Sequence, residues 1–396
     1  MFCELFPPLI YGGGEVLFWN LAKSLVTRGH EVYVITRKVA GARGSEVTLG
    51  VNIRRVGLSE NYGGALTTNS LNSLAYLVAA FFTGIRIGLR RHIDIIHSNT
   101  YVPALAGQLC ATILRRKHLM TIHDVYLTSL PWFWKNWSQQ PTVGRVARVM
   151  GPLLERFFFV MPVTAIQTVS ETSKRDLLQA GARSRIVVVP NGISLGEHKR
   201  HDAVPTNSHQ AIFIGRLVFY KNLEVVFHAL ARVIRVVPDA RLAVVGDGPM
   251  RGAWQKIVSD LGLERHVHFC GVTPQQEKLR LLDQSAFLVL PSMVEGFGIV
   301  ILEAFSSKKA VLASTIGALR ELVSDEVDGY LVDPASETDW ANRMIMLFED
   351  PERARHMGMM GCNKVVANFT TDRVAARMEG LYYSLLGRGY SKSNHA

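Results

Sequence analysis

The segment Pro291-Ser-Met-Val-Glu295-Gly-Phe-Gly298-Ile-Val-Ile-Leu-Glu303-Ala-Phe305 sets two carboxylates, Glu295 and Glu303, with seven residues between them. The apolar run Ser285–Leu290 before it is short, as a parallel strand buried on both faces should be. Gly296 and Gly298 let the backbone turn closely into a helix that starts near Ile299. A helix start offers N–H groups and the positive end of the dipole, a natural seat for a diphosphate. Glu303 then lies inside a helix with Ile301, Leu302, Ala304 and Phe305 around it. Burying a carboxylate without partners costs several kcal/mol, so a polar group is expected to meet it, and a ligand hydroxyl is a candidate. The plain alternative is a solvent-facing helix residue, or a core carboxylate satisfied by backbone.

In this setting Glu295 and Glu303 resemble the paired-glutamate motif of the retaining glycosyltransferases of family 4 (glycosyl transferases group 1), which have the GT-B fold. The resemblance implies that Glu303 takes the ribose of a nucleotide sugar. It also implies that Glu295 lies beside the sugar's reacting carbon, with Gly296, Phe297 and Gly298 at the donor. Glu295 is not assigned as a covalent nucleophile, because retention by same-face attack is equally open to such a site. Arg216 and Lys221, in Gly215-Arg-Leu-Val-Phe-Tyr-Lys221-Asn222, follow the apolar strand Ala211–Ile214 and stand at its carboxyl end. Fixed cations stabilise a departing diphosphate without a metal, and the family places an arginine and a lysine at this spacing for that task.

Smaller matches follow in order along the chain. Gly12-Gly13-Gly14-Glu15 is similar to the family's glycine loop, where backbone amides approach a phosphate or the sugar, so Gly13 and Gly14 join the expected donor contacts. Glu15 by itself would also favour the helix N-terminus electrostatically. His123 ends the strand Leu119–His123. Taken alone it reads as a satisfied core histidine, and the resemblance implies instead a contact to the donor sugar near its anomeric carbon. His97 is expected to serve structure or acceptor shaping. Val169–Ser173 and Val189–Ile193 resemble further family segments. Gly246-Asp247-Gly248-Pro249 resembles the loop near the nucleotide base, which adds Gly246 to the donor set.

The elements that must position these groups alternate strand and helix in both halves of the 396 residues, the pattern of doubly wound parallel sheets. The expected layout is an α/β GT-B protein with an acceptor-binding Rossmann-like domain over residues 1–190 and a nucleotide-sugar-binding one over 191–370. A helix at 371–396 is expected to pack back on the first domain. The two halves are expected to face a central cleft, with ligands beyond the carboxyl ends of the strands. Phe2–Phe6 is a candidate first strand, short for this class of fold. Leu71–Ile85 reads as a core or interface helix, too short and interrupted to count as a clear membrane span.

Four scattered cysteines with no Cys-x-x-Cys pair suit small buried residues in a reducing compartment. No Asp-x-Asp triplet is present, which argues against a metal-dependent transferase of the other major fold. No cleavable signal peptide is evident, and the expected location is cytoplasmic, with peripheral attachment to the cytoplasmic membrane face. The net charge of +11 is one-sided: residues 1–190 hold 21 Lys/Arg against 10 Asp/Glu, and the remainder balances. Such a half suits an anionic partner such as lipid. Trp132, Trp134, Lys135 and Trp137, followed by Arg145 and Arg148, have the mix of aromatic and basic side chains that a membrane interface favours. A packed loop is the alternative reading of that window.

Together these imply a metal-independent retaining transferase that needs no cofactor beyond its nucleotide-sugar co-substrate. A UDP- or GDP-linked hexose or N-acetylhexosamine is expected to pass to a membrane glycolipid or lipid-linked saccharide, with no nucleic acid partner. A soluble sugar acceptor is the alternative within the same chemistry. A non-catalytic nucleotide-sugar binder is the alternative outside it.

Overall fold

The computed structural model describes residues 1–7, 13–60, 70–129, 132–139, 147–195 and 209–389. The chain divides into two units, Met1–Gly192 with Thr371–Ala396, and Ile193–Thr370. The first unit begins with α1 (Gly13–Thr27), β1 (Tyr33–Val39), β2 (Ser45–Thr48), β3 (Val51–Glu60) and α2 (Ser70–Arg90). It continues with β4 (Ile95–Ser98), α3 (Val102–Leu114), β5 (Lys117–Ile122), α4 (Tyr126–Ser129) and α5 (Phe133–Trp137). It closes with α6 (Ala147–Val160), β6 (Ala165–Thr168), α7 (Glu171–Gln179) and β7 (Arg185–Val188).

Strand orders are β1-β3-β2 and β4-β5-β6-β7. Phe2 bridges Ile35 on one side and Ser98 on the other, both in parallel, so the first residues join the two groups of strands. The candidate strand Phe2–Phe6 is thus reduced to a bridge, held by Phe2 N–H to His97 O at 2.8 Å and Cys3 N–H to Ile35 O at 3.1 Å. The antiparallel pair β2–β3 was not foreseen. Its two-residue turn puts Leu49 and Gly50 at positive φ (49° and 79°), the geometry hairpins favour, but the sequence signals it with Leu-Gly rather than Asn-Gly.

The second unit contains β8 (Gln210–Ile214), α8 (Leu223–Val233), β9 (Arg241–Val245), α9 (Arg251–Asp260) and β10 (Val267–Gly271). There follow α10 (Gln275–Gln284), β11 (Phe287–Leu290), α11 (Ile299–Ser306), β12 (Ala310–Ser314), α12 (Gly317–Leu322) and β13 (Gly329–Val332). Two helices that the sequence reading did not name, α13 (Glu337–Glu349) and α14 (Pro351–Asn368), end it. The sheet is parallel in the order β10-β9-β8-β11-β12-β13. Strands β11 and β12 are buried at every position, which is why they read as unbroken apolar runs. The strand order reverses between β8 and β11, the place where open α/β sheets bind ligands.

The final helix α15 (Thr371–Leu385) belongs to the first unit. Ala375, Met378, Leu381 and Leu385 enter a core shared with Phe18, Ala22 and Leu25 of α1. The fully buried Glu379 accepts from Arg28 Nε at 2.7 Å and pairs with His30 Nε2 at 2.8 Å. A buried carboxylate needs this kind of double partnering.

Two histidines lie deep in the first unit. His97 meets Tyr382 Oη and Thr121 Oγ1, each at 2.7 Å. His118 meets Ser98 Oγ at 2.7 Å and Gln108 Oε1 at 2.8 Å. Burial holds the His97 imidazole well below its ordinary pKa and pulls His118 down to about 3. These groups stay neutral in the folded chain while the unfolded chain protonates them below about pH 6.5. The stability they supply is present above that pH and is lost as pH falls toward the folded values. Each should contribute about 1.4 kcal/mol of lost stability per pH unit in that window. Urea melts from pH 7 to pH 4.5 should therefore show steeply falling stability, with a shallower slope in His118→Gln. A flat profile would refute the assignment.

Candidate functional site

In the second unit, the loops after β8, β9 and β11 come together at the switch point. Gly246 has φ 131°, and a Cβ there would lie 2.0 Å from Gly215 O. A Cβ at Gly248 would lie 2.5 Å from Leu217 O. These glycines are needed because the β9 loop rests directly on the backbone that carries Arg216. Leu217 N–H donates to Asp247 O at 3.0 Å, and Met293 N–H donates to Tyr220 O at 2.8 Å, joining all three loops. Gly246→Ala is expected to destabilise the unit by about 2–4 kcal/mol through strain and clash, seen as a lower Tm. Gly252→Ala, on helix α9 with open space around it, should be neutral or stabilising.

Lys221 Nζ pairs with Glu295 Oε1, and Ser292 Oγ donates to the same oxygen at 2.8 Å. Both charged side chains are mostly buried, 14% and 13% exposed. Arg216 is exposed, and its Nη2 donates to Tyr220 Oη at 3.1 Å. The helix α11 starts at Gly298, whose φ of 90° only glycine adopts readily, and no side chain caps it. Glu303, 13% exposed, accepts from Lys278 Nζ at 2.7 Å through Oε1. Its Oε2 is buried and meets no hydrogen-bond partner. A buried carboxylate oxygen in that state costs free energy, so the site is built for an added hydroxyl donor.

Phe297 is 6% exposed and packs edge-on against Phe369 at 6.0 Å. Its ring anchors the loop in the core of the unit. Gly296 is buried between Glu295 and this ring. Ser292, Lys278 and Tyr220 were missed in the sequence. Ser292 stood inside the quoted motif without an assigned role, and nothing in the sequence around Lys278 marks it.

In the first unit, Gly13 and Gly14 open α1, while Gly12 lies outside the described residues. A Cβ at Gly14 would lie 3.5 Å from His123 Nε2 and 3.8 Å from Asn99 Nδ2. The helix start, His123 and Asn99 therefore share one corner of the sheet. His123 stands just beyond β5, with Nε2 shut off from solvent and without a partner. Desolvation lowers its pKa to about 4, which leaves a neutral imidazole at pH 7. His97, by contrast, has both ring nitrogens engaged and serves structure.

The aromatic window is partly packed and partly exposed. Trp134 Nε1 donates to the buried Glu155 at 2.8 Å, and Trp137 stacks on the buried Phe133 at 5.5 Å. A buried carboxylate that needs donors, together with aromatic stacking, draws these two rings into a packed cluster. Trp132 and Lys135 are exposed, and Arg145 lies outside the described residues. Among the described residues no group of three or more His, Cys, Asp or Glu side chains could hold a metal.

Comparison with known proteins is consistent along the whole chain. The family model described as Glycosyltransferase Family 4 matches residues 11–197, and that described as Glycosyl transferases group 1 matches residues 196–362. The chain is similar to a D-inositol 3-phosphate glycosyltransferase of Corynebacterium aurimucosum, 26% identical over 94% of this chain and 90% of that protein. Among solved structures it is similar to sucrose-phosphate synthase from Thermosynechococcus elongatus. That likeness has a TM-score of 0.80 and 20% identity, over 98% of this chain and 99% of the other. It also resembles Anabaena HepE in complex with UDP-glucose, with TM-score 0.74 and 19% identity over 97% and 99% of the two chains. The chain belongs to glycosyltransferase family 4, the glycosyl transferases group 1, enzymes of GT-B fold that use a nucleotide sugar.

Proposed function

We propose that this enzyme transfers a hexose or N-acetylhexosamine from a UDP- or GDP-sugar, with retention and without a metal, to a hydroxyl of a membrane glycolipid or lipid-linked saccharide. The observation that carries the donor half is the buried, unpartnered Oε2 of Glu303 beside Lys278. A ribose supplies the hydroxyl donors that this oxygen lacks. Arg216 and Lys221 meet the diphosphate, with Gly296 and Gly298 at its side and Gly246 shaping the base end. His123 and the α1 start with Gly13 and Gly14 offer hydrogen bonds to a sugar or phosphate.

Glu295 Oε1 already receives Lys221 and Ser292, which suits an electrostatic and positioning role better than that of a nucleophile. The acceptor oxygen then attacks the anomeric carbon on the face that the diphosphate leaves. The carbon–oxygen bond to the diphosphate breaks, and the hydroxyl proton passes to the departing phosphate oxygen. The lipid acceptor is supported by the basic first half and by the apolar helices of the first unit. A soluble acceptor is the second reading, favoured by the names of relatives that act on inositol 3-phosphate or make sucrose phosphate.

The test is incubation with a panel of UDP- and GDP-sugars plus membrane lipid extract or soluble sugars, with products read by mass spectrometry. A hexose or N-acetylhexosamine added to a lipid is the expected result. Modification of soluble sugars alone moves the assignment to the second reading. Donor bound but never consumed would mean a binder.

A further inference from the structure

Helix α2 carries Leu71, Leu74, Val78, Phe82 and Leu89 on one stripe, each 47–76% exposed. This reverses the usual arrangement, in which the apolar stripe faces the core. The inner face of α2 is occupied as well: Tyr76 and Ala80 are fully buried, and Tyr76 Oη donates to Cys3 O at 3.0 Å. Gly84 lets α2 press on α3, since a Cβ there would sit 2.7 Å from Cys110 Sγ. Helix α3 adds Leu109 and Ile113, 43% and 60% exposed.

Helix α6 joins the same layer, with Phe158 packed edge-on against Tyr101 at 5.5 Å and in one core cluster with Ala104 of α3. Its outer side exposes Val149, Leu153, Leu154, Phe157 and Val160 by 41–64%. Across α2, α3 and α6 the sequence holds a single acidic residue, Glu155, which is buried. Arg86, Arg90, Arg148 and Arg156 are all exposed on these helices.

We infer that the exposed apolar, arginine-bearing face of α2, α3 and α6 is a docking surface for an anionic lipid bilayer. Apolar side chains that enter the headgroup boundary, flanked by cations and no anions, are what an interfacial surface requires. Charge complementarity selects this occupant, because a second copy of the chain would set arginine against arginine. By length and composition α2 could cross a membrane, but its buried inner face holds it in the fold, so it lies on the bilayer. The inference gives the lipid-acceptor reading its site of contact and rests on that reading for its purpose.

The test is flotation of the full chain with phosphatidylglycerol vesicles and with phosphatidylcholine vesicles. Retention is expected on the first and not the second, weakening with salt. Val78→Asp with Phe82→Asp, and separately Leu153→Asp with Phe157→Asp, should each weaken retention about tenfold or more. Arg86→Glu with Arg156→Glu should do the same without removing an apolar group. All these side chains are exposed, and an unchanged Tm confirms that the variants fold. Failure of the unaltered protein to float, equal retention by the variants, or equal retention on phosphatidylcholine would overturn the inference. So would a dimer that the aspartate variants dissociate while vesicles are ignored. Donor consumption in the same samples separates the two claims: a chain that binds vesicles but consumes no nucleotide sugar keeps this surface and loses the proposed reaction.

Discussion

Lys221→Ala is expected to lower turnover by about two to three orders of magnitude, the cost of removing one preorganised group that meets charge developing in a transition state. The lysine stands where a cation is already fixed, 14% exposed and tied to Glu295, so it needs no rearrangement to receive a diphosphate. Losing it also leaves the Glu295 carboxylate without its cation while Ser292 Oγ still donates to it, and breaking a mostly buried pair lowers stability. The double variant Lys221→Ala, Glu295→Gln removes that stranded charge and should recover Tm but not turnover. Steady-state kinetics on donor consumption distinguish the cases: kcat should fall far more than KM rises. Turnover within about threefold of the parent would remove the leaving-group role, since one preorganised donor is worth far more than that.

Glu303→Gln should weaken nucleotide-sugar affinity by about tenfold to a hundredfold, the worth of hydrogen bonds to a charged acceptor. The substitution keeps the shape of the side chain. It replaces an oxygen that is buried and unpartnered with a group that cannot accept from both ribose hydroxyls. Calorimetric titration with the donor measures this directly, and because the ion pair with Lys278 is lost as well, the unliganded chain should be somewhat less stable than the parent. An unchanged Kd would place the ribose elsewhere.

The glutamate helix and its strand were legible because both are extreme in pattern. Phe287–Leu290 and Ile299–Ser306 are where the apolar runs placed them. The succession of strands and helices from β8 to β13 was legible from alternation, whereas their order in the sheet came from the structure. What local sequence could not show was pairing over distance. Lys278 reaches Glu303 from a helix 25 positions away in sequence, and only the folded sheet brings them together. The tryptophan window stayed open between a membrane face and a packed loop for a related reason. Trp134 looked amphipathic, but a buried glutamate 21 residues on claimed its indole N–H. The apolar stretch Leu71–Ile85 was read as a core or interface helix; Tyr76 and Ala80 are buried while Leu71, Leu74, Val78 and Phe82 are exposed, because periodicity marks a face without saying what covers it.

The central claim is that one site both binds a nucleotide sugar and transfers it with retention and without a metal. The most direct measurement is the anomeric configuration of the product, read by NMR after a reaction run in the presence of a chelator. The account predicts full activity and a product with the same anomeric configuration as the donor. An inverted product, or activity that disappears with the chelator and returns with a divalent cation, would contradict it.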